Sequence, residues 1–158
     1  MQTTSSIDGV EVRKLELYFD ERGWLAELYR ADEWPQETQP RMGYLSVTKP
    51  GVTRGPHEHV DQTDVFCFPG PGLFEIRLWD RRPESPSQGQ AMKLTLGEGN
   101  PAVLVIPPGV VHGYRNISGV DALVINLPNR LYRGVGKAEE VDEIRHEENP
   151  HSPYTFED

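Results

Sequence analysis

The residues that can do chemistry lie around two histidines, His57 and His59, which are separated by one residue. Side chains alternate along an extended strand, so both imidazoles are expected on the same face. Arg54 lies three residues before His57, with Gly55 and Pro56 between them, and Asp64 follows at a short interval. An imidazole can transfer a proton near neutral pH, and a neighbouring arginine can stabilise an anion. The same imidazoles and carboxylate can also bind a transition metal.

A second motif supplies a third histidine. Pro107, Gly109, His112 and Asn116 follow one another with the spacing Pro-x-Gly-x-x-His-x-x-x-Asn. Together the two motifs resemble the two-part signature of the cupin superfamily, with Asp64 where that signature usually has glutamate. In cupins the two motifs converge inside one barrel. The resemblance implies an all-β cupin fold, the double-stranded β-helix or jelly-roll barrel.

The composition limits the class of protein. The 158 residues suit one domain rather than two. The 15 glycines and 14 prolines show no repeat and are typical of short strands joined by tight turns. A net charge of -9 argues against a nucleic-acid partner. The single cysteine, Cys67, excludes an internal disulfide framework. No signal-peptide pattern or apolar run of about 20 residues is present, so we expect a cytoplasmic protein without membrane association.

Alternating apolar and polar residues predict a series of short strands, followed by one helix. We expect a single cupin domain with its core over about 10–135, and a helix and tail over 136–158. The helix is predicted as one short surface element over Lys137 to Glu148, because this stretch is charge-rich with two apolar residues three apart. The main predicted strands are Val10 to Phe19, Tyr44 to Lys49, Val65 to Phe68, Leu73 to Trp79 and Val103 to Ile106.

A narrower resemblance covers nearly the whole chain. The segments 19–24 (FDERGW), 54–57 (RGPH), 80–82 (DRR), 85–86 (SP), 89–90 (GQ), 106–109 (IPPG) and 112–114 (HGY) are similar to motifs of the dTDP-4-dehydrorhamnose 3,5-epimerase family. Its members are metal-free cupins that rearrange nucleotide-linked 4-keto sugars, usually as homodimers. Related 3,4-ketoisomerases carry a similar Arg-Gly-x-His-x-His run. The resemblance implies a dTDP-sugar epimerase or ketoisomerase that needs no cofactor and forms a homodimer.

The resemblance also implies roles for individual residues. His57 is the expected base, which removes the proton next to the ketone, and Arg54 is expected to stabilise the enolate. Asp64 and Tyr132 are the other two catalytic candidates. Tyr132 matches a family tyrosine that lies near the substrate. The candidates for substrate binding are Arg22, His59, Arg77, His112, Tyr114 and Arg115. The arginines among them can hold a diphosphate through paired hydrogen bonds.

The sequence differs from the family at the groups that assist the base. Where the family has a lysine after the histidine, this chain offers Thr63 or Asp64, and the late strand at 123–127 (LVINL) lacks the catalytic tyrosine. Glu148 is the candidate counterpart of the carboxylate that orients the base. A single epimerisation or a ketoisomerisation would need fewer of the missing groups than a double epimerisation.

Two alternatives stay open from the sequence. One is a metal-dependent cupin, either a dioxygenase or a sugar isomerase, that binds a divalent transition metal through His57, His59, Asp64 and His112. The other is a sugar-binding cupin without catalytic activity, which the missing tyrosine and lysine favour.

Overall fold

A computed structural model describes residues 2–3 and 5–157. Nearly all regular structure in this part of the chain is strand, and none of its helices is long and apolar enough to cross a membrane. Three 3-10 turns accompany the strands, at Gln36–Thr38, Val135–Lys137 and His146–Glu148. The strands are β1 (Gln2–Thr3), β2 (Glu11–Lys14), β3 (Leu17–Asp20), β4 (Gly23–Ala26), β5 (Tyr44–Thr48), β6 (Thr53–Glu58), β7 (Asp64–Phe68), β8 (Leu73–Asp80), β9 (Ala91–Gly97), β10 (Ala102–Ile106), β11 (Val110–Asn116), β12 (Ala122–Asn126) and β13 (Ile144–Arg145).

The strands form two large antiparallel sheets. One sheet has the order β1-β2-β10-β7-β12-β5, and the other has the order β13-β6-β11-β8-β9. Strands β3 and β4 form a separate hairpin. Neighbours in both large sheets are mostly far apart in sequence, which is the crossed connectivity of a jelly roll. The predicted all-β cupin fold is confirmed.

The core follows the strand patterns that were visible in the sequence. In β8 the side chains of Phe74, Ile76 and Leu78 are buried, while the residues between them are partly exposed. Strands β7 and β10 are buried on both faces. Burying each large apolar side chain contributes about 1.5–3 kcal/mol, so this core supports the sheets and fixes their register.

The first predicted strand is two strands. The stretch from Val10 to Phe19 divides after Lys14, and β2 pairs with β10 in the six-stranded sheet. The second half becomes β3, which leaves the sheet and pairs with β4. Alternation alone could not show this break, because both halves have the same period of two.

The C-terminal segment also differs from the prediction. The continuous helix expected over Lys137 to Glu148 does not form, and the short C-terminal helix is only the 3-10 turn His146–Glu148. Strand β13 instead pairs antiparallel with β6. The Asp142 carboxylate accepts hydrogen bonds from the backbone N–H groups of residues 60, 61 and 62. These long-range bonds attach the C-terminal segment to the loop after β6 and satisfy three backbone N–H groups of that loop.

Candidate functional site

Four of the candidate residues come together between the two large sheets. His57 lies on β6 and His112 is its direct cross-strand partner on β11. Asp64 opens β7 in the opposite sheet, and His59 lies just after the end of β6. One possible donor atom from each side chain lies within 4.8 Å of the others. We call these four residues the histidine cluster.

Gly55 allows the close approach that brings the cluster together. Its φ is +79°, in the left-handed region that favours glycine. A Cβ atom at this position would lie 2.8 Å from the carbonyl oxygen of His112 and 3.0 Å from Nδ1 of His57. The glycine of the Arg-Gly-Pro-His motif is therefore required by the contact between two cluster residues.

Two imidazoles of the cluster are held through Nδ1. In His112, Nδ1 donates a hydrogen bond to the carbonyl oxygen of Val110, at 2.9 Å. In His59, Nδ1 makes a short contact with the carbonyl oxygen of Asp142. Both Nε2 atoms point towards Oδ2 of Asp64, at 3.0 Å from His59 and 3.2 Å from His112. Since a carbonyl accepts the Nδ1 proton, each ring in its neutral form presents a lone pair at Nε2.

The second oxygen of Asp64 is bound by amides. Its Oδ1 accepts hydrogen bonds from Asn126 Nδ2 at 2.8 Å and from Gln62 Nε2 at 2.9 Å. In contrast, Asp64 Oδ2 and His112 Nε2 are both buried and lack an aligned hydrogen-bond partner among the described residues. The carboxylate is thus fixed in orientation, with one oxygen directed into the cluster.

The cluster is strongly polarised. Burial opposes the ionised form of Asp64, but the imidazoles of His112 and His59 beside its Oδ2 outweigh burial and hold the pKa of Asp64 well below its usual range. Burial also opposes the charged form of His59, but Asp64 and Asp142 raise its pKa to about 9. Burial, followed by the neighbouring His112, lowers the pKa of His57 to about 3. At neutral pH a proton is therefore favoured on His59, and His57 is an unprotonated base.

A carboxylate that the sequence did not single out lies next to His57. Glu143 Oε1 is 3.8 Å from His57 Nδ1, because β13 pairs with β6 and brings residues 142–145 over the cluster. Glu148, the candidate from the sequence, instead pairs with Arg145 at 3.2 Å on the surface. The sequence contained no signal for Glu143, because its position depends on the strand pairing of a segment that was expected to be helical.

A cavity of about 1150 Å³ opens above the cluster. His57, His59, Tyr44 and the catalytic candidate Tyr132 line it. Five cations also line its wall: Arg41, Arg130, Arg133, Lys137 and Arg145. Arg145 pairs with Glu143 and Glu148. In the described part of the chain, Arg41, Arg130 and Lys137 have no carboxylate partner within 4.0 Å.

Tyr44 supplies a phenol to this cavity from β5. It is the cross-strand partner of Asn126 on β12, and its hydroxyl accepts a hydrogen bond from Asn126 Nδ2 at 2.9 Å. Burial raises the pKa of Tyr44 to about 12, so the phenol keeps its proton at neutral pH. The late strand lacks the family tyrosine, but the neighbouring strand presents one.

The other predicted site residues lie away from the described wall of this cavity. The Arg54 guanidinium donates to Thr48 Oγ1 at 2.9 Å and to the carbonyl oxygen of Val47 at 3.0 Å. Tyr114 packs in the core against phenylalanines of the inner faces, and burial raises its pKa. Arg77 and Arg115 both lie 5.3 Å from the ring centre of Phe156. Arg22 is exposed on the β3–β4 hairpin and pairs with Asp20.

Comparisons with known proteins show the family of the chain. The family model of dTDP-4-dehydrorhamnose 3,5-epimerase matches residues 4–135. The chain is 40% identical over 128 residues to the probable low-salt glycan biosynthesis epimerase Agl13 of Haloferax volcanii, covering 80% of this chain and 81% of the relative. It is 39% identical over 128 residues to the spore coat polysaccharide biosynthesis protein SpsL of Bacillus subtilis, covering 80% and 82%.

The fold is similar to a solved structure over nearly its whole length. The crystal structure of a dTDP sugar isomerase from Desulfovibrio desulfuricans superposes with a TM-score of 0.84 at 26% sequence identity, covering 97% of this chain and 94% of the other. The resemblance read from the motifs is therefore confirmed. The chain belongs to the dTDP-4-dehydrorhamnose 3,5-epimerase family, whose members are sugar epimerases.

Proposed function

We propose that this enzyme epimerises a dTDP-linked 4-keto-6-deoxy sugar at one carbon next to the ketone, with His57 as the base. The observation that carries the proposal is the position of His57, which lies in the wall of a large cavity with Glu143 3.8 Å from its Nδ1. A base at the inner end of a cavity, supported by a carboxylate, has the arrangement that proton abstraction requires. Membership of an epimerase family supports the same reaction.

The first step removes the proton from carbon 3 or carbon 5. The ketone acidifies this C–H bond, and the electron pair moves into an enolate while the proton goes to His57. Negative charge then develops on the carbonyl oxygen and needs a donor or a cation beside it. We assign this role to His59, which lines the same cavity and favours its protonated form at neutral pH. Arg54, the residue expected from the sequence, donates instead to strand β5.

The second step returns a proton to the opposite face of the enolate. We assign this proton to Tyr44, whose hydroxyl is held by Asn126 at 2.9 Å and which lines the cavity with His57. Delivery from the opposite face inverts the carbon, whereas return of the proton from His57 restores the original centre. Tyr132 lines the same cavity and is the second candidate, although the sequence matched it to a family tyrosine near the substrate and not to the proton donor.

The nucleotide diphosphate is assigned to the cationic part of the cavity wall. Arg41, Arg130 and Lys137 have no carboxylate partner in the described part of the chain, and Arg133 is close to them in sequence. Arginine forks bind phosphate oxygens through paired charge-assisted hydrogen bonds. This assignment replaces Arg22, Arg77 and Arg115, which lie at other surfaces.

We expect a homodimer, as the resemblance implied, and a cytoplasmic location. Strand β5 is at the edge of the six-stranded sheet and exposes Leu45 and Val47, while the β3–β4 hairpin exposes Phe19 and Leu25. Exposed apolar edge strands are typical of interfaces between subunits. Sedimentation velocity of the purified chain tests this point.

Deuterium exchange tests the proposed reaction. The enzyme is incubated in D₂O with dTDP-4-keto-6-deoxyglucose, and proton NMR follows the signals at carbons 3 and 5. We expect deuterium at one of these carbons together with the inverted epimer. Deuterium at both would indicate double epimerisation, and a ketone moved to carbon 3 would indicate ketoisomerisation, so either result would overturn the single epimerisation.

The controls separate the base from its surroundings. His57→Asn should abolish exchange, while His151→Asn, which changes an exposed histidine in the C-terminal segment, should leave it unchanged. Tight binding of the nucleotide sugar by the wild type without any exchange would overturn the proposal and leave a binding protein.

A further inference from the structure

We infer that Phe156 is a positioning residue for the proposed reaction, because it fastens the C-terminal segment from which Asp142 and Glu143 reach the two cavity histidines. The inference rests on the proposed function, since it gives Phe156 a part in that reaction. Phe156 itself lies on the outer face of the five-stranded sheet, away from the described wall of the cavity. The segment lies beyond residue 135, where the match to the family model ends.

Strand β13 is too short to hold this segment by itself. It spans only residues 144–145, and both are exposed. Strands usually have about three to ten residues, and two pairings return little of the entropy that ordering a segment costs. The residues directly before it nevertheless make exact contacts: the Asp142 carboxylate accepts three backbone N–H groups of 60–62, its carbonyl contacts His59, and Glu143 faces His57. Contacts further along the chain must therefore support them.

A row of rings supplies this support. It starts at the residue directly after β13 and crosses the outer face of the five-stranded sheet in the order His146, Tyr154, Trp79, Phe156. The ring centres lie 4.9 Å apart between His146 and Tyr154, 5.6 Å between Tyr154 and Trp79, and 6.3 Å between Trp79 and Phe156. Neighbouring rings pack against each other at these distances. We call these four residues the ring row.

Phe156 is the buried end of the ring row. Its side chain is 5% exposed, and the guanidinium groups of Arg77 and Arg115 both lie 5.3 Å from its ring centre. A Cβ atom on Gly113 of β11 would lie 2.9 Å from Cε2 of Phe156 and 2.9 Å from the carbonyl oxygen of Arg54. Gly113 has no positive φ, so close approach rather than backbone conformation accounts for glycine here. The sheet is thus shaped to receive this ring, directly beside His112.

The other end of the ring row lies behind the cavity histidines. His146 Nε2 donates to Oε1 of Glu58 at 2.8 Å, and Arg81 contacts the same oxygen. Glu58 is the residue between the two cavity histidines on β6, and its side chain is directed to the opposite face of the strand. The segment therefore holds this end of β6 from both sides, and the ring row connects that grip to Phe156.

Steady-state kinetics and hydrogen exchange of the full chain test the role of Phe156. Phe156→Ala should lower kcat for the 4-keto sugar by about 10- to 100-fold and change KM little, because a shift of about 1 Å at Asp142 and Glu143 misplaces the base and its partner. The backbone amides of residues 60–62 should exchange faster in D₂O, because the Asp142 carboxylate no longer holds them. Phe156→Leu, which keeps an apolar side chain, should restore most of kcat.

A core truncation elsewhere is the matched control. Val12 is buried on β2 in the six-stranded sheet and does not line the cavity. Val12→Ala should lower the melting temperature, as Phe156→Ala does, because both remove buried apolar atoms. It should leave kcat and the exchange of the amides of 60–62 unchanged.

Each outcome decides the inference. Unchanged kcat or unchanged exchange at 60–62 in Phe156→Ala overturns it, and so does an equal loss of kcat in Val12→Ala. If Phe156→Ala fails to fold by circular dichroism, His146→Ala interrupts the ring row at its other end and should give the same two changes. A wild type that does not turn over the 4-keto sugar refutes the proposed function, while the exchange at 60–62 still decides whether Phe156 holds the segment.

Discussion

The carboxylate of Glu143 lies 3.8 Å from Nδ1 of His57, across the pairing of β13 with β6. A carboxylate at this distance can stabilise the imidazolium that forms when His57 takes a proton, and we propose that it also orients the ring. Glu143 is thus a positioning residue, and its contribution should appear in the rate of the proton transfer and not in substrate binding.

Glu143→Gln should lower kcat by about 10- to 100-fold and change KM little, because the amide keeps the shape but not the charge. Steady-state kinetics with the 4-keto sugar measures this split. Glu148→Gln is the matched control, since Glu148 pairs with Arg145 at the surface and should have no effect. An equal loss in both variants would show that the effect is general to the C-terminal segment.

Tyr44→Phe should separate exchange from inversion. The variant lacks the phenol proton but keeps His57, so deuterium should still enter the substrate while the inverted epimer falls by about 10²-fold or more. The same NMR experiment records both signals. Tyr132→Phe serves as the comparison, because Tyr132 lines the same cavity. Loss of inversion in Tyr132→Phe with normal inversion in Tyr44→Phe would assign the acid to Tyr132.

Gly55→Ala should displace residues of the histidine cluster, in addition to the conformational energy that alanine costs at a positive φ. Gly55 and Gly51 have φ values of +79° and +76°, so alanine costs about 1–2 kcal/mol of conformational energy at either position. Only at Gly55 would the Cβ meet other atoms, 2.8 Å from the His112 carbonyl oxygen and 3.0 Å from Nδ1 of His57. We expect both variants to melt earlier, but only Gly55→Ala to lose the exchange reaction. Equal activity in the two variants would contradict this reading of Gly55.

Acid stability should depend on Asp80. Hydrogen bonds from Arg82, followed by those from Ser85 and Ser87, hold the pKa of Asp80 below its usual range against the opposing effect of burial. The unfolded state therefore takes up the proton first as pH falls. The stabilisation is complete above the ordinary aspartate pKa of about 3.9 and is lost as pH falls below it.

Asp80→Asn removes this dependence. Its free energy of unfolding at pH 7 should fall by about 1–3 kcal/mol, because charge-assisted hydrogen bonds are lost. Below pH 4 the difference from the wild type should shrink. Urea unfolding at a series of pH values measures both quantities. A difference that stays constant down to pH 3 would mean that Asp80 does not titrate as its surroundings indicate.

The sequence by itself determined the fold class, the family and which histidines come together. Side-chain alternation and the Gly-Pro turns predicted short strands, and two motifs with fixed spacing predicted that His57, His59, Asp64 and His112 would meet. These are local patterns, and a period of two or a turn residue can be read without knowing what lies across the sheet. The comparisons confirm the family that the same motifs indicated.

Only the tertiary structure decided which groups lie near His57. Glu143 and not Glu148 is beside it, because residues 144–145 pair with β6. The sequence of this charged segment is equally compatible with a surface helix, so the pairing could not be predicted from it. Tyr44 enters the cavity because β5 pairs with β12, and Arg130 and Lys137 reach it through the loop that follows β12. Strand register and loop path are set by contacts between distant residues, and no single segment carries that information.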